Sequence, residues 1–272
     1  MNESLADLDA AAARVRAVLE GEFGPVEAIG AAFLAQRRQS RAAGVPLSPE
    51  RLAGMGDVIS LDWHQLHLLP AADGTGIVAA PGVVAGKHRH LEWWQRTMSG
   101  EGGAGQGGES FARIRLNLDP ESIDLYDYLD MDWFTVPGRE RRRYVYGPYV
   151  DFSGADRYVL TMTVPVADGA EFLGVAGVDL RMSHLEPELL AVLRAVPAPA
   201  VLVTAERRVV AANTSRWISG TRLDRLPAAG ARAFDDRTFA DRTFAAVTAV
   251  GADSGWLLAA ASRDPAGGPA GC

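Results

Sequence analysis

Cysteine is all but missing from this chain. Cys272 stands alone, so no intramolecular disulfide and no thiolate zinc cluster can form within it. No run of about 18 apolar residues occurs, which excludes a membrane-spanning helix of ordinary length. The opening MNESLADLDAAAARVRAV has neither the basic start nor the apolar centre of a secretory leader. Together these absences set the expectation of a soluble, cytoplasmic protein that touches no membrane. Positive charge is also in deficit. The 27 Lys and Arg face 34 Asp and Glu, a formal charge of -7, which disfavours a broad grip on nucleic acid. The obvious basic run, RERRR at 139–143, has no interleaved aromatic and reads as a solvated turn.

Catalytic signatures are missing too. There is no GxSxG elbow, Walker A loop or kinase set. The GxGxxG formed by Gly100, Gly102 and Gly105 leads into an expected strand instead of opening a helix, so it reads as a linker. Histidine offers one enzymatic alternative. His88 and His90 would share a strand face and His64 and His67 a helix face, and either pair beside a carboxylate has the donor set of a metal-assisted hydrolase. Without HExxH or paired-cysteine spacing, the leading reading is a non-enzyme with no cofactor.

What is present is enough apolar material for a folded core. With 272 residues, 48% hydrophobic and 22% charged, the chain suits one large or two small domains burying about 70–75% of its unfolded surface. Its strongest local signal covers residues 144–180. Tyr158, Leu160, Met162 and Val164 alternate with Val159, Thr161 and Thr163, the period of a strand with two unlike faces. Asp168 and Gly169 make a turn, and a second run over 172–180 completes an antiparallel hairpin. Upstream, Tyr144, Tyr146 and Tyr149 form a third strand. Pro148 bends or ends it near Gly147, because proline has no amide to give a central ladder.

The N-terminal segment is helical in pattern. Leu5, Leu8, Ala12, Val15 and Leu19 make one stripe over 4–21; Pro25 opens a second helix carrying Val26, Ile29 and Phe33 towards Arg38; Ser48 starts a third, and 58–69 forms a fourth. Strands are expected at 74–80, 88–98 and 111–118, with a flexible linker at 99–110. Asp119, Pro120 and Ser122 open a helix running to Phe134, ended by Val136, Pro137 and Gly138. Ser183 and Glu186 fit a capping box for a helix through Leu193. After Pro197, two short strands flank a turn at Glu206 and Arg207, and 243–250 and 255–261 supply two more. A tandem DRTFA at 236–240 and 241–245 is too short for a solenoid and lengthens a local segment; 263–272 is expected to be a disordered tail.

A short tryptophan-containing helix, a strand ending PYVD, a strand YVLTMTVPV and a closing strand GVAGVDL, in that order, resemble the core of Cache domains, the PAS-like sensors of small molecules. The resemblance is close over about 74–194 and looser to about 262, as a double-Cache arrangement. It implies an α+β architecture: an N-terminal helical segment at 1–72, a PAS-like antiparallel sheet that binds ligand at 73–194, and a second, smaller PAS-like unit at 195–262. It further implies a pocket lined by Tyr126, Asp127 and Trp133 from the helix with Tyr144, Tyr146, Tyr149, Asp151 and Asp179 from the strands.

The family's helix carries arginines where this chain has Leu129 and Met131. Neither can clamp a carboxylate with paired hydrogen bonds. What remains is a set of rings, each able to cover a cation with about 0.5–2 kcal/mol, and carboxylates able to pair with an ammonium. The expected ligand is therefore a small amine-bearing or neutral polar molecule. Its binding would favour one shape of the sheet, read by a protein partner such as a transcription regulator or by a homodimer. The same residues have structural uses as well. Tyrosines on strands serve as core with one polar handle, Asp179 ahead of a helix can cap its amides, and Asp127, Asp130 and Asp132 can form a solvated acidic face. A scaffold that dimerises through its first helix and binds no small molecule is the third reading.

Overall fold

The computed structural model describes residues 2–54, 71–98, 109–151, 157–226, 229–230, 244–251 and 253–261. The expected helix at 58–69 with His64 and His67, the linker at 99–108, most of the tandem repeat and the C-terminal tail lie outside the described residues. The architecture is α+β with PAS-like antiparallel sheets. The chain divides into two compact units, Gly21–His184, and Met1–Glu20 with Leu185–Cys272.

In Gly21–His184 the strands are β1 (Ala72–Ala79), β2 (His90–Met98), β3 (Glu109–Arg113), β4 (Tyr144–Asp151), β5 (Arg157–Asp168) and β6 (Glu171–Arg181). They lie in the order β3-β2-β1-β6-β5-β4. The hairpin legible in the sequence is β5 and β6, with Thr161 opposite Asp179, Thr163 opposite Gly177 and Val164 opposite Ala176. Its two faces have different partners. Val164, Val166 and Ala176 meet helix α1 (Asn2–Ala42), where a Cβ on Gly30 would stand 3.2 Å from Val166 Cγ2 and 3.5 Å from the Cβ of Ala176. From the helix, Phe23, Val26, Ile29 and Phe33 are buried at spacings of three and four, each contributing about 1.5–3 kcal/mol of apolar burial. Arg38 and Arg41 both bind Asp168 at 3.1 Å, and Arg37 binds Glu171 at 2.9 Å. Surface pairs of this kind set alignment on the β5–β6 turn more than strength.

Two prolines do not break helices as the sequence led us to expect. Pro25 lies inside α1, which is continuous where two helices were anticipated. The carbonyl it leaves without an amide belongs to Gly21, an exposed residue, so solvent can serve that oxygen. Pro137 lies inside helix α3, numbered after α2 (Pro49–Ala53) and spanning Asp132–Glu140. The oxygen freed there is that of Trp133, and it accepts a hydrogen bond from Thr163 Oγ1 at 2.8 Å. A defect in the helix thus becomes a tie to the sheet.

The helix anticipated from Asp119 to Phe134 forms only from Asp132, within α3, and the strand anticipated to Leu118 stops at Arg113. Side chains satisfy the backbone locally instead. Asn117 Nδ2 donates to Ser122 Oγ at 2.6 Å, the Asp119 amide donates to Asn117 Oδ1 at 3.1 Å, and the Glu121 amide to Asp119 Oδ1 at 3.0 Å. The Tyr126 amide closes the loop on the Asn117 carbonyl at 2.8 Å. A 3-10 turn, Tyr128–Asp130, follows.

In the other unit, β7 (Ala200–Val203), β8 (Val209–Ala212), β9 (Phe244–Ala249) and β10 (Leu257–Ala261) lie in the order β8-β7-β10-β9. Their core includes Val201, Val203, Val247 and the stacked rings of Trp217 and Phe244, whose centroids are 5.6 Å apart. Helix α4 (Met182–Leu193) buries Leu185, Leu189 and Leu193. The anticipated capping box is not made. The helix starts at Met182, Ser183 Oγ lies 3.2 Å from the His184 ring, and the Glu186 carboxylate accepts from Ser219 Oγ at 2.6 Å.

Candidate functional site

Register decides which side chains meet on the face of the large sheet away from α1. Val78 lies opposite Leu91, Gly76 opposite Trp93 and Gly74 opposite Gln95, while Gly74 and Gly76 also pair with Asp179 and Gly177. Thr161 lies opposite Asp179, and Tyr146 opposite Thr161. Strict alternation would then turn Tyr149 to the other face. An extra residue between Tyr146 and Tyr149, where Gly147 takes φ 106, shifts the register so that Tyr149 pairs with Val159 and Asp151 with Arg157. The bulge returns Tyr149 and Asp151 to the face that carries Thr161 and Asp179.

The floor of this face is bare backbone. A Cβ on Gly74 would stand 2.6 Å from Trp93 Nε1, and one on Gly177 would stand 3.2 Å from Trp93 Cη2. The indole of Trp93 therefore lies across β1 and β6 in space that three glycines leave free. Above it is a cleft of about 470 Å³ including its open mouth, whose inner part takes a few waters. Val78, Leu91, Ile114 and Leu116 form an aliphatic wall, Trp93 and Trp133 an aromatic one, and Gln95, Tyr126, Tyr149, Asp151, Thr161 and Asp179 the polar side.

The polar side is wired. Thr161 Oγ1 donates to Asp179 Oδ1 at 2.6 Å and lies 2.9 Å from Tyr149 Oη. Since that hydroxyl's single proton goes to Asp179, the phenol is the donor of the second bond. Burial pushes the Asp179 carboxyl up to about 7, with the negative charges of Asp151 and Asp73 adding to the rise and the Thr161 hydrogen bond opposing it. Burial also pushes the phenols of Tyr126 and Tyr149 well above the ordinary range, and Asp179 and Asp151 reinforce both shifts. Asp73, fully buried at the start of β1, is bound by Arg157 and lies 3.7 Å from Arg181.

Of the residues singled out from the sequence, Tyr126, Trp133, Tyr149, Asp151 and Asp179 line this cleft. Three others lie elsewhere. Asp127 makes a two-pronged pair with Arg89, at 3.1 and 2.7 Å, and caps the 3-10 turn through the Leu129 amide. The guanidinium holds its carboxyl below the usual carboxylate range. Tyr146 packs against Tyr149 with its ring tilted by 58° and the centroids 5.1 Å apart, and Tyr144 lies under the guanidinium of Arg142 at 5.4 Å. Sequence reasoning passed over Thr161, Trp93, Gln95 and the aliphatic wall. Leu91, Trp93 and Gln95 share one strand face by their spacing of two, but nothing local says what that face meets.

Tyr128, another residue the sequence did not single out, is an anchor. Its hydroxyl donates to the Ala79 carbonyl at 2.8 Å and accepts from the His90 amide at 3.0 Å. The hydrolase geometry is not formed. His88 precedes β2 and faces Arg89, whereas buried His90 lies 3.0 Å from Glu92, which also binds Arg113 at 2.7 Å. No group of three potential metal-ligating side chains occurs among the described residues.

Residues 111–187 match the family model of the first PDC sensor domain of methyl-accepting chemotaxis protein-like receptors. The fold is that of a Cache sensor. Similar solved structures cover the chain almost end to end. The ligand-binding domain of the Pseudomonas aeruginosa amino-acid chemoreceptor PctB, solved with L-arginine, has a TM-score of 0.53 at 14% identity, covering 96% of this chain and 94% of its own. A Campylobacter jejuni chemoreceptor ligand-binding domain with L-norvaline has a TM-score of 0.51 at 12% identity, covering 95% and 90%. The extracellular domain of a histidine kinase has a TM-score of 0.52 at 16% identity, covering 96% and 94%. No curated protein matches the chain.

These findings correct one expectation. The Cache domains that this chain resembles are receptor sensor domains, one of them extracellular, and the cytoplasmic placement does not stand. It rested on the lack of a leader and of an apolar span, which a Cache segment need not contain to work outside the cell. Among the described residues no helix is long and apolar enough to cross a membrane.

Proposed function

We propose that the Gly21–His184 unit is an extracytoplasmic sensing module whose cleft takes a small amine-bearing ligand, ammonium end towards Asp151 and Asp179. The observation that carries this reading is the charge of the cleft. Among the described residues its polar side presents two carboxylates and two phenols, and none of those lining it is a lysine, arginine or histidine. An ammonium gains from ion pairing in a partly dry site and from ring faces worth about 0.5–2 kcal/mol. A free carboxylate would gain nothing there. Leu129 is half-buried in the 3-10 turn and Met131 is exposed, and neither lines the cleft. The amino acids held by the Pseudomonas and Campylobacter receptors carry an amine, which supports the class of ligand without fixing it.

Binding acts at Asp179, three residues before α4 begins. A ligand that binds one arrangement of β6 more tightly than another shifts the balance between them, and the following helix transmits the shift to a receptor-type signalling module. The partner suits a chemotaxis receptor or kinase better than a transcription regulator, since the matched family and structures are of the former kinds. The test is a thermal-shift and calorimetric screen of primary amines against simple carboxylic acids. Saturation well above the dissociation constant raises stability by a few kcal/mol. The expected result is stabilisation by amines alone, weakened at least tenfold by Asp151→Asn or Asp179→Asn; binding of carboxylic acids without amines would overturn the reading.

A further inference from the structure

We propose that this cleft selects its amine by the far end: it takes a primary monoamine carrying an uncharged hydrocarbon tail and rejects amines with a second charge at the tip. The inference rests on the amine reading above for the head group and adds what the rest of the ligand must be. Its basis is the order of side chains along the strands. Register fixes which residues stand level, and on the cleft face they make three rows spaced two residues apart. Thr161, Asp179 and Gln95 stand in the first row, level with Gly74; Gly177, Gly76 and Trp93 make the second; Val78 and Leu91 are in the third. Polarity therefore falls in one direction, from hydroxyl, carboxyl and amide through an indole to aliphatic chains. The first and third rows are about 13 Å apart, the reach of four residues of extended strand.

The apolar end is completed by the chain that follows β3. The Ile114 amide donates to the Trp93 carbonyl at 2.9 Å, which holds Ile114 level with the second row, and Leu116 follows two residues on. Both line the cleft and both are only half-buried, whereas Val78, Leu91 and Trp93 are buried. Hydrocarbon laid against them takes apolar surface out of water on both sides of the contact, worth about fourfold in affinity for each methylene covered. A charged tip has the opposite effect. Val78, Leu91, Ile114 and Leu116, the described side chains at this end, hold no acceptor and no counter-charge, so an ammonium or carboxylate placed there would leave water without a replacement for it.

The test uses the full chain, titrated calorimetrically with n-propylamine, n-hexylamine, 1,6-diaminohexane and 6-aminohexanoic acid. Three added methylenes are expected to tighten binding about sixtyfold from propylamine to hexylamine. A charge at the far carbon is expected to remove about tenfold or more of that gain. Leu116→Ser changes a half-buried position outside the strands and is expected to narrow the hexylamine-to-propylamine ratio by about fivefold or more; because the ratio is taken within one protein, a general loss of stability does not move it. Equal affinities for the two monoamines, a diamine or amino acid bound as tightly as hexylamine, or a ratio untouched by the variant overturns the tail selection and leaves the amine site standing. Failure of every amine to bind sinks both.

Discussion

Thr161 and Asp179 face each other across β5 and β6, and the hydroxyl donates to the carboxyl at 2.6 Å. This bond is what opposes the upward pressure of burial on Asp179, and it also gives the buried Tyr149 phenol its acceptor. Thr161→Val preserves the shape and removes both bonds. The carboxyl midpoint is expected to rise further above neutrality, and the orphaned phenol to lower stability by about 1–3 kcal/mol in urea denaturation. A midpoint that stays in place or falls would show that the hydroxyl does not serve the carboxyl.

Asp179→Asn has a pH signature with a definite sign. The folded chain holds this proton up to about 7, whereas the unfolded carboxyl releases it near 3.8, the ordinary value for an aspartate. The group's contribution to stability is therefore complete below about pH 4 and is lost as pH rises through neutrality. The amide has no such loss. The variant's stability relative to the native chain is expected to improve between about pH 4 and pH 7 and to level off above, by about 4 kcal/mol at most. Denaturant midpoints measured over that range check it, and a gap moving the opposite way refutes the burial argument.

Glycines in the two kinds of element respond oppositely to a methyl group. In Gly76→Ala the new Cβ falls 2.0 Å from the Glu92 carbonyl oxygen and 2.8 Å from Trp93 Cα, backbone atoms that cannot retreat without opening the β1–β2 ladder. The expected loss is about 3 kcal/mol or more. Gly21 lies within α1 with nothing within 4 Å of such a Cβ, and Gly21→Ala is expected to gain about 1 kcal/mol from helix propensity. Paired thermal melts of the two variants read both signs at once.

Asn213 staples its unit together, its own amide donating to the Ala200 carbonyl at 3.1 Å and its side chain doing the rest. Its Oδ1 accepts from the Ala200 amide at 2.7 Å, and its Nδ2 donates to the carbonyls of Leu193 and Ala198, each at 3.0 Å. Asn213→Ala leaves these groups unpaired and is expected to cost about 2–3 kcal/mol. Asn213→Asp keeps the acceptor but sets a negative charge against the carbonyls, so it is expected to cost at least as much; an aspartate variant as stable as native would contradict the assigned geometry.

The legible part of this fold was the part written in short periods. Alternation from Tyr158 to Val164 marked β5 before any partner was known, and Asp168–Gly169 marked its turn. Prolines misled, because Pro25 and Pro137 are tolerated where the freed oxygen finds solvent or Thr163. Asp119, Pro120 and Ser122 look like a helix start, but the Asn, Asp and Ser side chains over 117–122 bond nearby groups and build a turn. In the cleft, aromatic and acidic residues were conspicuous by type. Thr161 and Trp93 were not, because their roles come from pairing with strands far away in sequence, and no local pattern records register.

Trp93 rests on bare backbone, so the depth of the cleft is set by side chains that are absent. A methyl group at position 177 would meet Thr163 Cγ2 at 3.0 Å, the Met162 carbonyl oxygen at 3.1 Å and the indole rim at 3.2 Å. The ring and the threonine methyl yield by a few tenths of an ångström, but the carbonyl belongs to the β5–β6 hairpin. Room for the indole is thereby tied to the same hairpin on which Asp179 stands.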